Sequence, residues 1–287
     1  MEDFEIKFTV DGQEVTQEQI RAIELERYHH VFDVFNDKGL SIKLNDQALI
    51  LEQLVALPLE DAKVALAQTR EAMGKEKTLE VFKPETDRAD HMWTEIADTS
   101  VKGKNMQEAY VNVETKNITL QQFMLFNQSL MKENNLYLPS TIHPEHYYFN
   151  GDMSSGKQTI IETFGMYKDP SYFDLKPGGN KDYPVQPDEG VDLVMMGNTY
   201  LMSNGKDTNM IGMHQMTQTK EGMKVKLGVF LPESAPYEIA EGHKKHLLVE
   251  FNNGLHIAAK KKPSFLQKKA LDAAIKHVKK NNKRNNY

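Results

Sequence analysis

The stretch YEIAEGHKKHLLVEFNNGLHIAA, residues 237 to 259, constrains the fold more than any other part of the chain. Its apolar pattern is helical, and Ile239, His243, His246, Glu250 and Leu255 fall near one side because positions three and four apart stack over one another. Imidazoles and a carboxylate are thus embedded in an apolar stripe. A buried imidazole needs a partner, and a metal shared with a carboxylate one turn away would satisfy both side chains. The same spacing also makes ordinary surface contacts, as His91 and Glu95 would, so both readings stand at this level.

Three apolar runs of strand length precede that helix: VDLVMMGNTYLM, TNMIGMHQMTQT and, past the turn at Glu221-Gly222, MKVKLGVFLP. His214 lies mid-strand between Met213 and Met216. Further upstream Ala109, Tyr110, Val111 and Val113 read as a strand, and Thr119-x-x-Gln122 opens a helix that carries Phe123, Phe126 and Leu130 on one side. The order is strand, helix, antiparallel strands, long helix, an α+β pattern. A sheet that curls around the terminal helix leaves a cavity where ligands bind. Several of the 15 methionines lie on these strands, as plain core or as a soft cavity wall.

Within STIHPEHYYFNGDMSSGKQTIIETFGMY, Pro144 fixes a turn, a strand starts at His146, and QTIIETFGM returns. Glu162 sits among Ile160, Ile161, Phe164 and Met166, which is costly for a carboxylate unless it is paired. His146 and Glu162 on adjacent strands could face one way and supply two metal ligands; the other reading has Glu162 facing solvent. Residues 167 to 190, rich in Pro, Gly, Asp and Tyr, read as a long irregular loop of the kind that covers sites.

The first part of the chain carries no chemical motif. Phe4, Ile6, Phe8 and Val10 alternate in a strand that stops at Asp11-Gly12, and Thr16-x-x-Gln19 is a capping box for a helix ended by Gly39. The strand LSIKL, a helix from about Asp46 to Leu57 and another from about Glu60 to Met73 follow, closed by Gly74. The expected organisation is a small, mainly helical unit over 1–75 and a connecting region over 76–104 with one short exposed helix. The domain that carries the site then spans 105–287.

The chain has no cysteine, which removes disulfides, thiolate metal sites and cysteine nucleophiles, so any metal rests on His, Asp and Glu. The net charge of −6 conceals an asymmetry: residues 260 to 287 hold ten Lys or Arg against Asp272 alone, so the first 259 residues carry −15. LQKKALDAAIKHVKK spaces Leu266, Ala270, Ala273 or Ala274, and Val278 as an amphipathic helix packed on the body. Without aromatic residues among the lysines, nucleic acid is not the expected partner. The acidic start MEDFEIKFTV lacks the apolar core of a secretion signal, and no stretch reaches ~18 apolar residues, so the expectation is a cytoplasmic protein with no membrane partner.

Five strings now fall in order: AYVNVETKNITLQQFMLFNQSL, HPEHYYF, the Glu of IIETFG, GMHQMTQTKEGMKVKLGVFLP and EGHKKHLLVEFNNGL. Over residues 105 to 257 this resembles the diacetylphloroglucinol hydrolase and phloretin hydrolase family, zinc-dependent carbon–carbon bond hydrolases. The resemblance implies a helix-grip (Bet v 1-like) fold, an antiparallel sheet around a long C-terminal helix. It implies Zn²⁺ held by His146, Glu162, His246 and Glu250, with His214 lining the active site and Tyr137 matching a residue that orients the substrate. His143 and His243 lie one turn or less from the chosen ligands. The implied substrate is a small aromatic ketone, in which the bond between an acyl group and a phloroglucinol-type ring is hydrolysed. Lys224, Lys226 and Val229 stand where that family usually has arginines and bulky aromatics, and the loop between His146 and Glu162 is shorter, which leaves the acyl chain open. The oligomeric state is open too, a homo-oligomer being one option. The alternatives are a helix-grip carrier of apolar molecules without chemistry, and a metal-dependent hydrolase or decarboxylase of another phenolic or β-dicarbonyl substrate.

Overall fold

Alternating burial begins at once: Phe8 is fully buried in strand β1, Glu5–Val10, which turns through Asp11-Gly12 into β2, Gln13–Val15. The computed structural model describes residues 3–132, 135–178 and 184–285, with side chains of the last helix described as far as residue 276. Helix α1, Gln17–Asp37, starts at the expected capping box, in which the Thr16 hydroxyl accepts from the Gln19 N–H and the Gln19 amide oxygen accepts from the Thr16 N–H.

The helix expected over 46–57 is mostly absent. Asn45 and Asp46 both adopt positive φ, 51° and 66°, the requirement of a two-residue hairpin turn, and they join β3, Ile42–Leu44, to β4, Gln47–Leu49. Only Leu51–Val55, α2, is helical there.

A second correction concerns the expected connecting region. Helix α3 runs from Leu59 to Asp98, broken at Gly74 where φ is 68°. Phe82, Thr86, Ala89, Trp93 and Ile96 recur at intervals of three and four and are all buried, so its second half is core. The Trp93 indole N–H donates to Ser171 Oγ at 2.9 Å, and its ring meets the edges of Phe164 and Phe173.

The remaining elements are β5 (Gln107–Lys116), α4 (Leu120–Lys132), α5 (Tyr137–Ile142), β6 (His146–Asp152), β7 (Lys157–Glu162), a 3-10 turn (Phe164–Met166), β8 (Ser171–Pro177), β9 (Leu193–Leu201), β10 (Asp207–Gln218), β11 (Gly222–Leu231), α6 (Tyr237–Ala259) and α7 (Phe265–Asn285). Strand β8 lies inside the region expected as irregular loop; its Ser171, Phe173 and Asp174 are buried between β7 and β9. Residues 179–183 of that region lie outside the described part.

Nine antiparallel strands form one sheet in the order β2-β1-β5-β11-β10-β9-β8-β7-β6. The fold is therefore mixed α+β, with a large antiparallel sheet and several helices. Because β1 pairs with β5, residues 1–75 do not form a separate unit: they begin in the main sheet, and α1 packs against α6. One apolar cluster joins α4, α6, the second half of α3 and the sheet. Another joins α1 and α3 to Tyr147, Tyr148 and Ile161, the outer face of the β6–β7 hairpin. Both faces of that hairpin are covered, which explains why HYYF and TIIETF read as unbroken apolar runs.

Helix α6 approaches the 3-10 turn backbone to backbone. A Cβ at Gly242 would collide with the Gly165 carbonyl, so glycine at both positions lets the helix sit against the end of β7. Helix α7 packs through Leu271 and Ile275, not through Leu266, which is 76% exposed. Val278 lies outside the described side chains. Among the described residues no helix is long and apolar enough to cross a membrane.

Candidate metal centre

The register of the β6–β7 hairpin puts His146 directly opposite Glu162, with a bulge between His146 and Tyr148 that turns the imidazole inward. Helix α6 brings His246 and Glu250, one turn apart, to the same place. The Nε2 atoms of His146 and His246 are 3.1 Å apart, and Glu162 Oε2 lies 3.6 Å from the first and 3.9 Å from the second. Glu250 Oε2 is 3.8 Å from His246 Nε2. Zinc bonds of 2.0–2.1 Å in a tetrahedron separate the donor atoms by about 3.3 Å. Donor atoms of the other three side chains expected as ligands thus lie within 3.9 Å of His246 Nε2.

His143, His146 and His246 form a buried cluster whose ligand atoms lie within 4.8 Å of one another and which could hold a metal ion. Ring geometry separates the three. Two imidazoles on one tetrahedral ion have centroids about 5 Å apart, and His146 and His246 are at 5.1 Å. The His143 ring instead stacks on His246 at 3.8 Å and 21°. Its Nδ1 accepts the Glu145 backbone N–H at 3.1 Å, which places the proton on Nε2 and leaves that nitrogen no lone pair for a metal. His143 thus supports His246. His243, on the other side, stacks on both His246 and Phe164, at 5.2 Å and 4.2 Å.

Burial drives the four groups expected as ligands toward their neutral forms, although the Glu250 side chain stays 30% exposed. It pushes the Glu162 carboxyl well above its ordinary value, reinforced by Glu250 and Glu145, and raises Glu250 to about 7. It holds His146 down to about 3, helped by the charge of Arg70, and His246 well below the ordinary range. A divalent cation suits this set: it is bound by neutral imidazoles and restores the charge of both carboxylates, giving a formally neutral centre.

The centre lies at one end of an enclosed cavity of about 90 Å³ between α4, α6 and the sheet. His146, His214 and Glu250 line it together with aromatic and aliphatic side chains. The His214 ring meets Phe251 edge-on, its Nδ1 is buried without a partner, and burial lowers its pKa to about 4. Tyr137 does not join them: it is 39% exposed on α5 and absent from the cavity wall. His91 and Glu95 form a surface pair, 76% and 71% exposed, beside an open depression that desolvates nothing. Lys224 and Lys226 point away from the cavity and pair with Glu114 and Asp188.

Sequence reading passed over the groups that hold the first strand of the site in place. Arg27 of α1 chelates the fully buried Glu145 carboxylate through Nε and Nη2, at 2.8 and 2.5 Å. Arg70 of α3, also fully buried, donates to the Pro144 carbonyl and lies over the Tyr147 ring at 4.8 Å. Asn253 of α6 donates to the Ile142 carbonyl and to Glu24, which Lys63 neutralises. The only hint in the sequence was an acid, Glu145, between two histidines. A scan against protein-family models and a search of curated proteins return no match to this chain.

Proposed function

We propose that the chain is a zinc-dependent hydrolase on a helix-grip scaffold, which cleaves the carbon–carbon bond between an acyl group and a phloroglucinol-type ring. The observation that carries this reading is the meeting of two imidazoles and two carboxylates, from β6, β7 and α6, at the end of an apolar cavity. The order of the five sequence strings supports it. His146, Glu162, His246 and Glu250 would hold the zinc, which when bound would supply Lewis acidity beside a carbonyl and a water of pKa about 7.

The chain's own residues supply the rest. An aryl carbanion is a poor leaving group, so the ring carbon that bears the acyl group must be protonated first. The ring is then a 1,3-diketone-like tautomer whose departing carbon leaves as an enolate. His214, neutral and with Nδ1 free of protein partners, stands on the cavity wall where it can carry that proton or hold a ring hydroxyl. The apolar wall excludes bulk water from the ring. In balance, water adds OH to the acyl carbon and H to the ring carbon as the bond between them breaks.

The test is elemental analysis of the purified protein together with product chromatography on phloretin and acylphloroglucinols. One zinc per chain and release of the free acid are expected, and His246→Ala should lose both while circular dichroism is unchanged. Retained turnover in that variant rejects the assignment. Stoichiometric zinc also excludes a simple carrier, the reading that the small enclosed cavity would otherwise favour.

A further inference from the structure

Two polar side chains on the cavity wall lack a strong hydrogen-bond partner. Asn127 of α4 donates through Nδ2 to the sulfur of Met195 at 3.2 Å, and Gln158 of β7 donates through Nε2 to the sulfur of Met131 at 3.4 Å. Among the described residues these are the only hydrogen bonds of the two side chains. A thioether is a weak acceptor, and both side chains are only partly buried, so each amide can take a better partner from a ligand that enters the cavity.

Their placement is not random. Side chains two apart on a strand share a face, so Gln158 and Glu162 point to the same side of β7, with their Cα atoms about 13 Å apart along it. The metal centre is therefore at one end of the cavity and Gln158 at the other. The cavity's 90 Å³ is also less than the roughly 150 Å³ that accommodates benzene in an engineered protein core. A ring fits only after the wall yields. Methionine, unbranched and flexible, is the side chain best able to do so.

We infer that Asn127 and Gln158 are the specificity-determining contacts for ring oxygens of an oxygenated aromatic ligand, and that Met195 and Met131 hold their place until it binds. Ligand oxygens replace the two sulfurs as acceptors, and displacement of the Met195 thioether, which lines the cavity, opens room for the ring. The ligand class is a polyhydroxylated benzene, with phenolic or tautomeric carbonyl oxygens at separated ring positions. A purely apolar aromatic leaves both amides without an acceptor and is selected against. The inference rests on the hydrolase reading for the cavity's role as the substrate site, but not on turnover.

The experiment is calorimetric titration of the full chain, zinc-loaded and chelator-treated, with phloroglucinol, which has no acyl group to cleave, and with toluene as the apolar probe. Asn127→Leu and Gln158→Met should each weaken phloroglucinol about 5- to 10-fold, the worth of one neutral hydrogen bond, and leave toluene unchanged or tighter. Gln158→Met is close in shape to glutamine, and equal thermal midpoints for the variants and the parent protein show that the fold is intact. Gln158→Glu, which keeps the shape but removes the donor, should bind phloroglucinol no better than Gln158→Met. Equal phloroglucinol affinity in parent and variants, or no binding to the parent protein, overturns the inference. Failure to cleave acylphloroglucinols with amide-dependent phloroglucinol binding intact would instead remove the reaction and leave this contact standing.

Discussion

His214 is half-buried on β10 against Phe251 and has a ring nitrogen with no hydrogen-bond partner, yet it takes no part in the metal cluster. Nothing in the packing calls for an imidazole there, which makes it the residue whose removal separates chemistry from architecture. His214→Gln keeps a polar side chain without a ring nitrogen that can take up and release a proton. It should lower kcat about 10²-fold or more while zinc content stays at one per chain. A variant that turns over normally, or that loses its zinc, would show that His214 is not the proton carrier. At this scale the sequence left two histidines of nearly equal standing at each imidazole position. Spacing could not separate His143 from His146, or His243 from His246, because each pair lies within about one turn. What separates them is ring orientation: His143 and His243 lie flat against His246 and steady its plane, and orientation has no signature in one sequence.

The turn between α5 and β6 is the least regular part of the site, and it bears His146. It is held by two guanidinium groups, Arg27 on Glu145 and Arg70 on the Pro144 carbonyl, from helices that carry no site residue. Helices α1 and α3 thus place His146 as well as cover the sheet. Arg27→Met would leave the Glu145 carboxylate buried and unpaired, a loss of about 3–5 kcal/mol in stability. It should also weaken zinc about 10- to 100-fold, as loss of an outer partner of a metal ligand does. Thermal melts and competition with a chromophoric chelator measure the two. Arg27→Met with Glu145→Gln should recover much of the stability, since no charge then remains to be paired. If zinc affinity is unchanged in the single variant, the turn does not depend on α1. Much at this scale was legible: both capping boxes, the strand runs of β9 to β11, the 146–162 register and the full length of α6 follow from period and turn chemistry. Trp93 was misplaced because charged residues surround it, although Phe82, Thr86, Ala89 and Trp93 keep a helical period. The β3–β4 hairpin was missed because Asn45-Asp46 lacks the glycine that usually marks such a turn.

Across the whole molecule, the approach of Glu162 to His246 could be read from sequence because β7 and α6 each carry these residues in a strong periodic pattern. The packing of the first 98 residues could not, since it depends on β1 joining β5 and on helices covering the outer face of the β6–β7 hairpin. That packing buries His146, Glu162 and His246 and leaves Glu250 partly exposed, and this burial sets how stability follows pH. In the metal-free protein His146 and His243, both at about 3, and His214 at about 4 stay neutral when folded but take protons at 6.5 when unfolded. The unfolded chain therefore binds more protons below pH 6.5, and stability falls as pH drops, by about 1.4 kcal/mol per unit for each ring. The carboxyls act in the opposite sense. Glu250 at about 7 and Glu162, raised further, stay protonated when folded but lose their protons near 4.5 when unfolded, so their contribution falls as pH rises through the folded values. The chelator-treated protein should then be most stable near pH 6.5, losing its thermal midpoint toward pH 5 through the histidines and toward pH 8.5 through the carboxyls. With zinc bound, both carboxylates are ionised against the cation and the alkaline decline should vanish, with a gain of about 2.7 kcal/mol at a hundredfold excess over Kd. Thermal midpoints from pH 4.5 to 8.5, with and without zinc, read this directly. A chelator-treated midpoint that keeps rising from pH 6.5 to 8.5 would mean that the two carboxyls do not share a desolvated site, and the metal centre proposed here would fall with it.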